Sequence, residues 1–173
     1  MNTKQTSAKI KKIRENYLRM RTEFFKDVSD EELWHRKRNV GFVSIPRCIT
    51  FISIVMDELA NTKISPTYLA LWCHTFDESL VIINDQEAMA FESGFTGSRA
   101  INTWKTRMKE LVDLGFIKAA PGRSGTYNYI LILNPYKIIR QHREQEKITT
   151  GPSYNALFDR ALEVGAADDL QNE

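Results

Sequence analysis

Between Phe95 and Met108 the sequence reads FTGSRAINTWKTRM, which gathers Thr96, Ser98, Arg99, Asn102, Thr103, Lys105, Thr106 and Arg107 into one short stretch. All of these are hydrogen-bonding or cationic groups, and no acid occurs from Phe95 to Lys109. The set suits recognition rather than bond-making. A guanidinium donates a forked pair of hydrogen bonds to guanine O6 and N7, and a carboxamide pairs in the same way with adenine N6 and N7. Hydroxyls and ammonium groups reach phosphates, which fix position without reading sequence. On a 3.6-residue wheel Ile101, Trp104, Met108, Leu111 and Gly115 share one face. The polar residues fall elsewhere, toward the N-terminal half, where free N–H groups and the helix dipole also favour an anion.

A second candidate is the turn PGRSG at 121–125, which puts Arg123 and Ser124 between glycines at an exposed tip. Such a tip can touch a phosphate backbone or a minor groove; the plainer reading is a solvent-exposed turn whose glycines satisfy backbone geometry. Basic residues also cluster near the N-terminus, with Lys11, Lys12 and Arg14 on an amphipathic stretch and Arg36, Lys37 and Arg38 in HRKR. They are candidate phosphate contacts.

Catalytic sets are missing. The adjacent pair Asp77 and Glu78 reads as solvated acid rather than a metal pair, and His35, His74 and His142 are scattered. Neither a phosphate-binding glycine loop nor a zinc-protease motif is present. Cys48 and Cys73 show no metal-ligand spacing and read as two reduced, buried thiols. The expectation is a non-enzyme with no metal and no cofactor.

The elements that must position these residues are legible in outline. Ile10, Ile13, Tyr17, Met20 and Phe24 form a helical stripe over 7–26 that suits packing on a domain or a second copy. Ser29 and Glu32 make a capping box for a short helix. Helices are expected over 46–60, from Ser65 as N-cap with Pro66 at the first position, and from Asp85 to the stop at Gly94. The helix over 65–76 is apolar nearly all round and is placed centrally in the core. Thr96 caps the helix that runs to Leu114, where Gly115 stops it. A strand is expected at 80–83 and a hairpin around 121–125, followed by helices from Pro135 and over 153–165. The acidic end, AADDLQNE, is expected to fray.

The stretch DQEAMAFESGFTGSRAINTWKTRMKELVDLGFIKAAPGRSGTYNYILIL, with the helix and strand before it, resembles the winged helix-turn-helix family of DNA-binding domains. LVDLGFI resembles that family's exit into the wing. The resemblance spans about 70 of the 173 residues. It implies a mainly α fold with a small β-hairpin wing (α+β), carrying additional N- and C-terminal helices. It also implies that helix 97–114 enters the major groove, with wing 121–126 on an adjacent backbone or groove. The corresponding division is a basic helical extension over 1–44, a core over 45–147, and an acidic helix and tail over 148–173.

Charge is segregated along the chain. Residues 1–47 carry 12 Lys+Arg against 6 Asp+Glu, 48–96 carry 1 against 7, 97–147 carry 10 against 4, and 148–173 carry 1 against 5. The basic segments suit a polyanion and the acidic ones a protein partner. No membrane span and no signal peptide are legible, so a cytoplasmic protein is expected. The leading reading is a homodimeric transcriptional regulator on double-stranded DNA, with helices 7–26 and 135–147 as dimer candidates. The alternatives are a plasmid or phage replication or partition factor on repeated sites, and a winged-helix protein-interaction module without DNA binding.

Overall fold

A computed structural model describes residues 3–76, 78–148 and 151–171, with side-chain surroundings from residue 11 onward. Asp77, half of the adjacent carboxylate pair, lies outside the described residues. The described residues form an α+β fold of seven helices and one three-stranded antiparallel sheet. The helices are α1 (Thr3–Phe24), α2 (Ile49–Ala60), α3 (Ser65–Cys73), α4 (Gln86–Glu92), α5 (Ala100–Asp113), α6 (Pro135–Glu144) and α7 (Pro152–Val164). The strands are β1 (Leu80–Ile82), β2 (Ile117–Gly122) and β3 (Gly125–Ile132). The chain divides into two units, one up to Phe42 and one from Val43 onward.

In the first unit α1 carries the expected stripe; Ile10 lies outside the described side chains, and Ile13, Tyr17, Met20 and Phe24 are 44–71% exposed. The capping box after it is half formed: Glu32 Oε2 accepts the Ser29 N–H at 2.8 Å, yet only turns follow. No residue from 11 to 42 is buried. A helix of one or two turns draws most of its stability from burial, so the cap alone does not sustain one.

The second unit holds the core. Ile52, Val55 and Met56 of α2, Tyr68 and Leu71 of α3, and Trp104, Met108 and Leu111 of α5 share one core with Phe116, whose ring meets Tyr68 edge-on at 5.9 Å. The strand order is β1-β3-β2, with Leu80 opposite Leu131 and Ile117 opposite Ile132. Val81, Ile117, Ile130 and Ile132 point inward. The outer sheet face keeps Leu80, Ile82, Tyr129 and Leu131 exposed. α3 is less central than its composition suggests: Leu69 and Cys73 are exposed, so only Cys48 is a buried thiol.

Two helix starts differ from the local signals. Pro46 stands outside α2, in a turn where its carbonyl accepts the Ile49 N–H at 3.0 Å. Ser65 is not the cap of α3, because a carboxylate from the preceding helix performs that task. Asp57, 9% exposed, accepts the N–H groups of Ile64 and Ser65 at 2.8 and 2.9 Å and the Ser65 hydroxyl at 2.9 Å. Lys63 Nζ adds an ion pair at 3.1 Å. Burial alone would raise the Asp57 pKa, but the donors of Ser65 and Ile64, with Lys63, outweigh it and hold the carboxyl below its ordinary range.

The C-terminal segment belongs to this unit. Leu157 and Ala161 of α7 are fully buried, with α7 packed on α2. The end expected to fray instead makes a 3-10 turn over Ala167–Leu170, with Ala167 and Leu170 buried. Asn134 Nδ2 donates to Asp169 at 2.8 Å and Arg140 Nη1 to the Gln171 carbonyl at 2.7 Å, which tie it down. Among the described residues no helix is long and apolar enough to cross a membrane.

Asp57→Ala is expected to lower the unfolding free energy by about 2 kcal/mol at neutral pH, the range for a lost cap with charge-assisted bonds. The Asp57 contribution is present above the unfolded carboxyl pKa of about 4 and is lost as pH falls through the lower folded value. Urea unfolding of both proteins should therefore show the gap closing in strongly acidic buffer.

Candidate nucleic-acid interface

Helix α4 starts as its sequence dictates, with Asp85 Oδ1 accepting the N–H groups of Glu87 and Ala88 at 2.9 and 3.0 Å. It ends at Glu92, and the chain reverses through Gly94 with the Phe95 N–H closing onto the Ala90 carbonyl at 2.9 Å. α5 packs next to α4. Its inner face is Trp104, Met108 and Leu111, all fully buried, with Ile101 half-buried at the near end.

The entry to α5 differs from the expected Thr96 cap. Gly97 has φ +82°, a left-handed conformation that a helix cannot include, so the helix begins at Ala100 after a turn closed by the Ala100 N–H on the Gly97 carbonyl at 3.1 Å. Thr96, Ser98 and Arg99 are therefore exposed turn residues preceding the helix. Arg99 occupies the N-cap position and no side chain caps α5. An uncapped start leaves backbone N–H groups available to an anion.

On the outer side of α5, Asn102, Lys105 and Thr106 are exposed while Thr103 and Arg107 are half-buried. Thr103 Oγ1 donates to the Arg99 carbonyl at 3.1 Å and Thr106 Oγ1 to the Asn102 carbonyl at 3.0 Å. Both hydroxyls have thus spent their proton on the backbone. Each keeps acceptor lone pairs and a methyl group for an outside partner. Arg107 Nε is enclosed without a hydrogen-bond partner, so its stem packs against the protein. Lys109 is ion-paired to Asp113 across one helical turn, which raises its pKa and occupies its charge.

The hairpin pairs Gly122 with Gly125 and shows a register shift between Ala120 and Gly122. Arg123 is exposed and makes no ion pair among the described residues. Ser124 is half-buried, and its hydroxyl donates to the Asn84 carbonyl at 3.1 Å. It faces the protein, unlike the outward contact that its place in the turn suggests. The hairpin stem is held to α5 by Tyr127, whose ring meets Trp104 edge-on at 5.8 Å.

Thr96–Arg107 and Arg123 thus stand on one frame. The six N-terminal cations singled out as candidate phosphate contacts belong to the first unit. Lys11, Lys12 and Arg14 are exposed on α1, with Glu15 3.9 Å from Lys11. Arg36, Lys37 and Arg38 are exposed in a turn held by the Asn39 side chain, which accepts the His35 N–H at 2.7 Å.

Sequence reasoning missed the polar residues that seat the hairpin: Asn84, Gln86 and Asn128. The available signal was Asn128, an amide inside the alternating strand TYNYILIL. No protein-family model, curated protein or solved structure matches the chain.

Trp104→Ala should cost about 3–5 kcal/mol of stability, the range for emptying a buried aromatic site. Denaturant unfolding followed by circular dichroism checks this; a loss below about 1 kcal/mol contradicts the anchoring role.

Proposed function

We propose that the second unit is a winged helix-turn-helix that binds double-stranded DNA by sequence and acts as a transcriptional regulator at an operator. In this reading α5 enters the major groove. Arg99 and Asn102 read bases, and Thr103 and Thr106 offer methyl groups and acceptor lone pairs to base edges. Thr96, Ser98, Lys105 and the outer end of Arg107 contact phosphates, and Arg123 on the wing reaches the adjacent backbone or groove.

The observation that carries the reading is the start of α5. It combines no side-chain cap, exposed Arg99 and Asn102, and no acid from Phe95 to Lys109. α2 and α7 also start without a side-chain cap, so what sets α5 apart is the pairing of exposed Arg99 and Lys105 with a stretch free of acid. Here an anion would meet N–H groups and cations, with no acid along 95–109.

The reading includes a homodimer, because an operator usually presents two half-sites related by a two-fold axis. Of the two candidate dimer helices, α6 spends Tyr136, Ile138, Ile139 and His142 on its own unit's core. The exposed stripe of α1 supports that helix instead.

Arg99→Ala is expected to weaken binding to a preferred duplex by about 1–3 kcal/mol and relax one base position. Lys105→Ala should weaken all duplexes alike and reduce the salt slope by about one. Fluorescence anisotropy over a range of salt concentrations reads both, and an unchanged affinity for Arg99→Ala overturns the orientation of α5. Light scattering should give a mass near twice the 20.0 kDa protomer.

A further inference from the structure

The turn that carries Arg123 is strapped to the segment just before α4 by a buried carboxamide. Asn128 is 2% exposed and stands in the inward row of β3, where the next members are Ile130 and Ile132. Its Nδ2 donates to the Ile83 carbonyl at 2.8 Å, while the Ile83 N–H donates to the Asn128 carbonyl at 2.7 Å. Its Oδ1 turns toward the tip and accepts the Ser124 N–H at 3.5 Å. Ser124 extends the strap: its hydroxyl donates to the Asn84 carbonyl, and its own carbonyl accepts from Gln86 Nε2.

The glycines close the fit. A Cβ on Gly122 would lie 1.9 Å from Asn128 Oδ1, and one on Gly125 would lie 3.2 Å from Gln86 Nε2. The turn therefore lies directly on these two amides. Burying an amide in an apolar row is unfavourable unless its hydrogen bonds are met, and packing alone would be served by another branched hydrophobe. What the amide adds is a fixed distance and direction between Ile83–Gln86 and the hairpin tip.

We propose that Asn128 is a positioning residue that locks the Arg123-bearing turn to the start of α4, so that wing and helix-turn-helix form one rigid reading head. The proposal rests on the duplex-DNA reading above and deepens it. The ligand is a duplex in which the bases read by α5 and the stretch touched by Arg123 lie a fixed number of base pairs apart. A loosely hinged wing would tolerate variable spacing and contribute less, because ordering it on binding costs entropy.

The test is a double-mutant cycle between Arg123→Ala and Asn128→Ala on a selected duplex, with folding followed by circular dichroism. Arg123→Ala should weaken the parent protein about tenfold and the Asn128→Ala background less than twofold. Base preferences at positions read by α5 should be unchanged in Asn128→Ala, while preference on the wing side flattens. An equal Arg123→Ala effect in both backgrounds overturns the proposal. If Asn128→Ala does not fold, the same cycle with Gln86→Ala, which removes only the outer tie, decides by the same criterion. If the parent chain binds no duplex, the DNA reading falls and the lock is judged by amide exchange at Ser124, whose N–H the strap engages. Asn128→Ala (or Gln86→Ala) then speeds that exchange about tenfold or more if the lock holds, and leaves it unchanged if it does not.

Discussion

The burial of Trp104 decides which way α5 faces. With Met108 and Leu111 it forms a fully buried ridge, and its ring also receives Tyr127 from the hairpin. A helix anchored by one row of large side chains cannot rotate without opening a cavity, so the opposite row is fixed outward. Asn102, Lys105 and Thr106 are exposed for that reason. The same contact joins the hairpin to the helix, so the outward row and Arg123 belong to a single frame. Neighbouring elements support this seat: α4 packs beside α5, and Phe116, fully buried, meets the rings of Tyr68 and His142.

What could be read from the sequence was mostly local. Asp85 caps α4 because its carboxylate needs only the next two or three N–H groups. The inner row of α5 followed from helical period, since period and burial express one geometry. Failures came where a distant residue intervened or a single backbone angle decided. Ser65 lost the cap of α3 to Asp57, eight residues earlier, which no nearest-neighbour pattern reveals. Thr96 lost the cap of α5 because Gly97 turns left-handed and delays the helix by a few residues. Ser124 read as a tip hydroxyl, but the fold turns it inward onto Asn84. The acidic end read as frayed, since composition could not show that Ala167 and Leu170 would be covered.

The two units use their apolar residues differently. From Val43 onward they make a contiguous core; up to Phe42 the stripe of α1 is exposed among cations. Large exposed apolar surfaces on a helix mark places where something else binds. In the proposed reading a second copy covers that stripe and supplies the two-fold symmetry of paired half-sites. The segregated charge of the sequence acquires a role in this account: the basic 97–147 segment contains both α5 and the hairpin tip, while the acidic 48–96 segment supplies the helices behind them.

In the proposed reading, the face presented by Arg99, Asn102 and Arg123 reads duplex DNA. Selection of bound sequences from a randomised duplex library, repeated at low and moderate salt, tests it most directly. A face that reads duplex DNA yields a recurrent sequence, repeated as two related half-sites, with affinity that falls steeply as salt rises. Recovery of no enriched sequence, with binding absent or insensitive to salt, would contradict it.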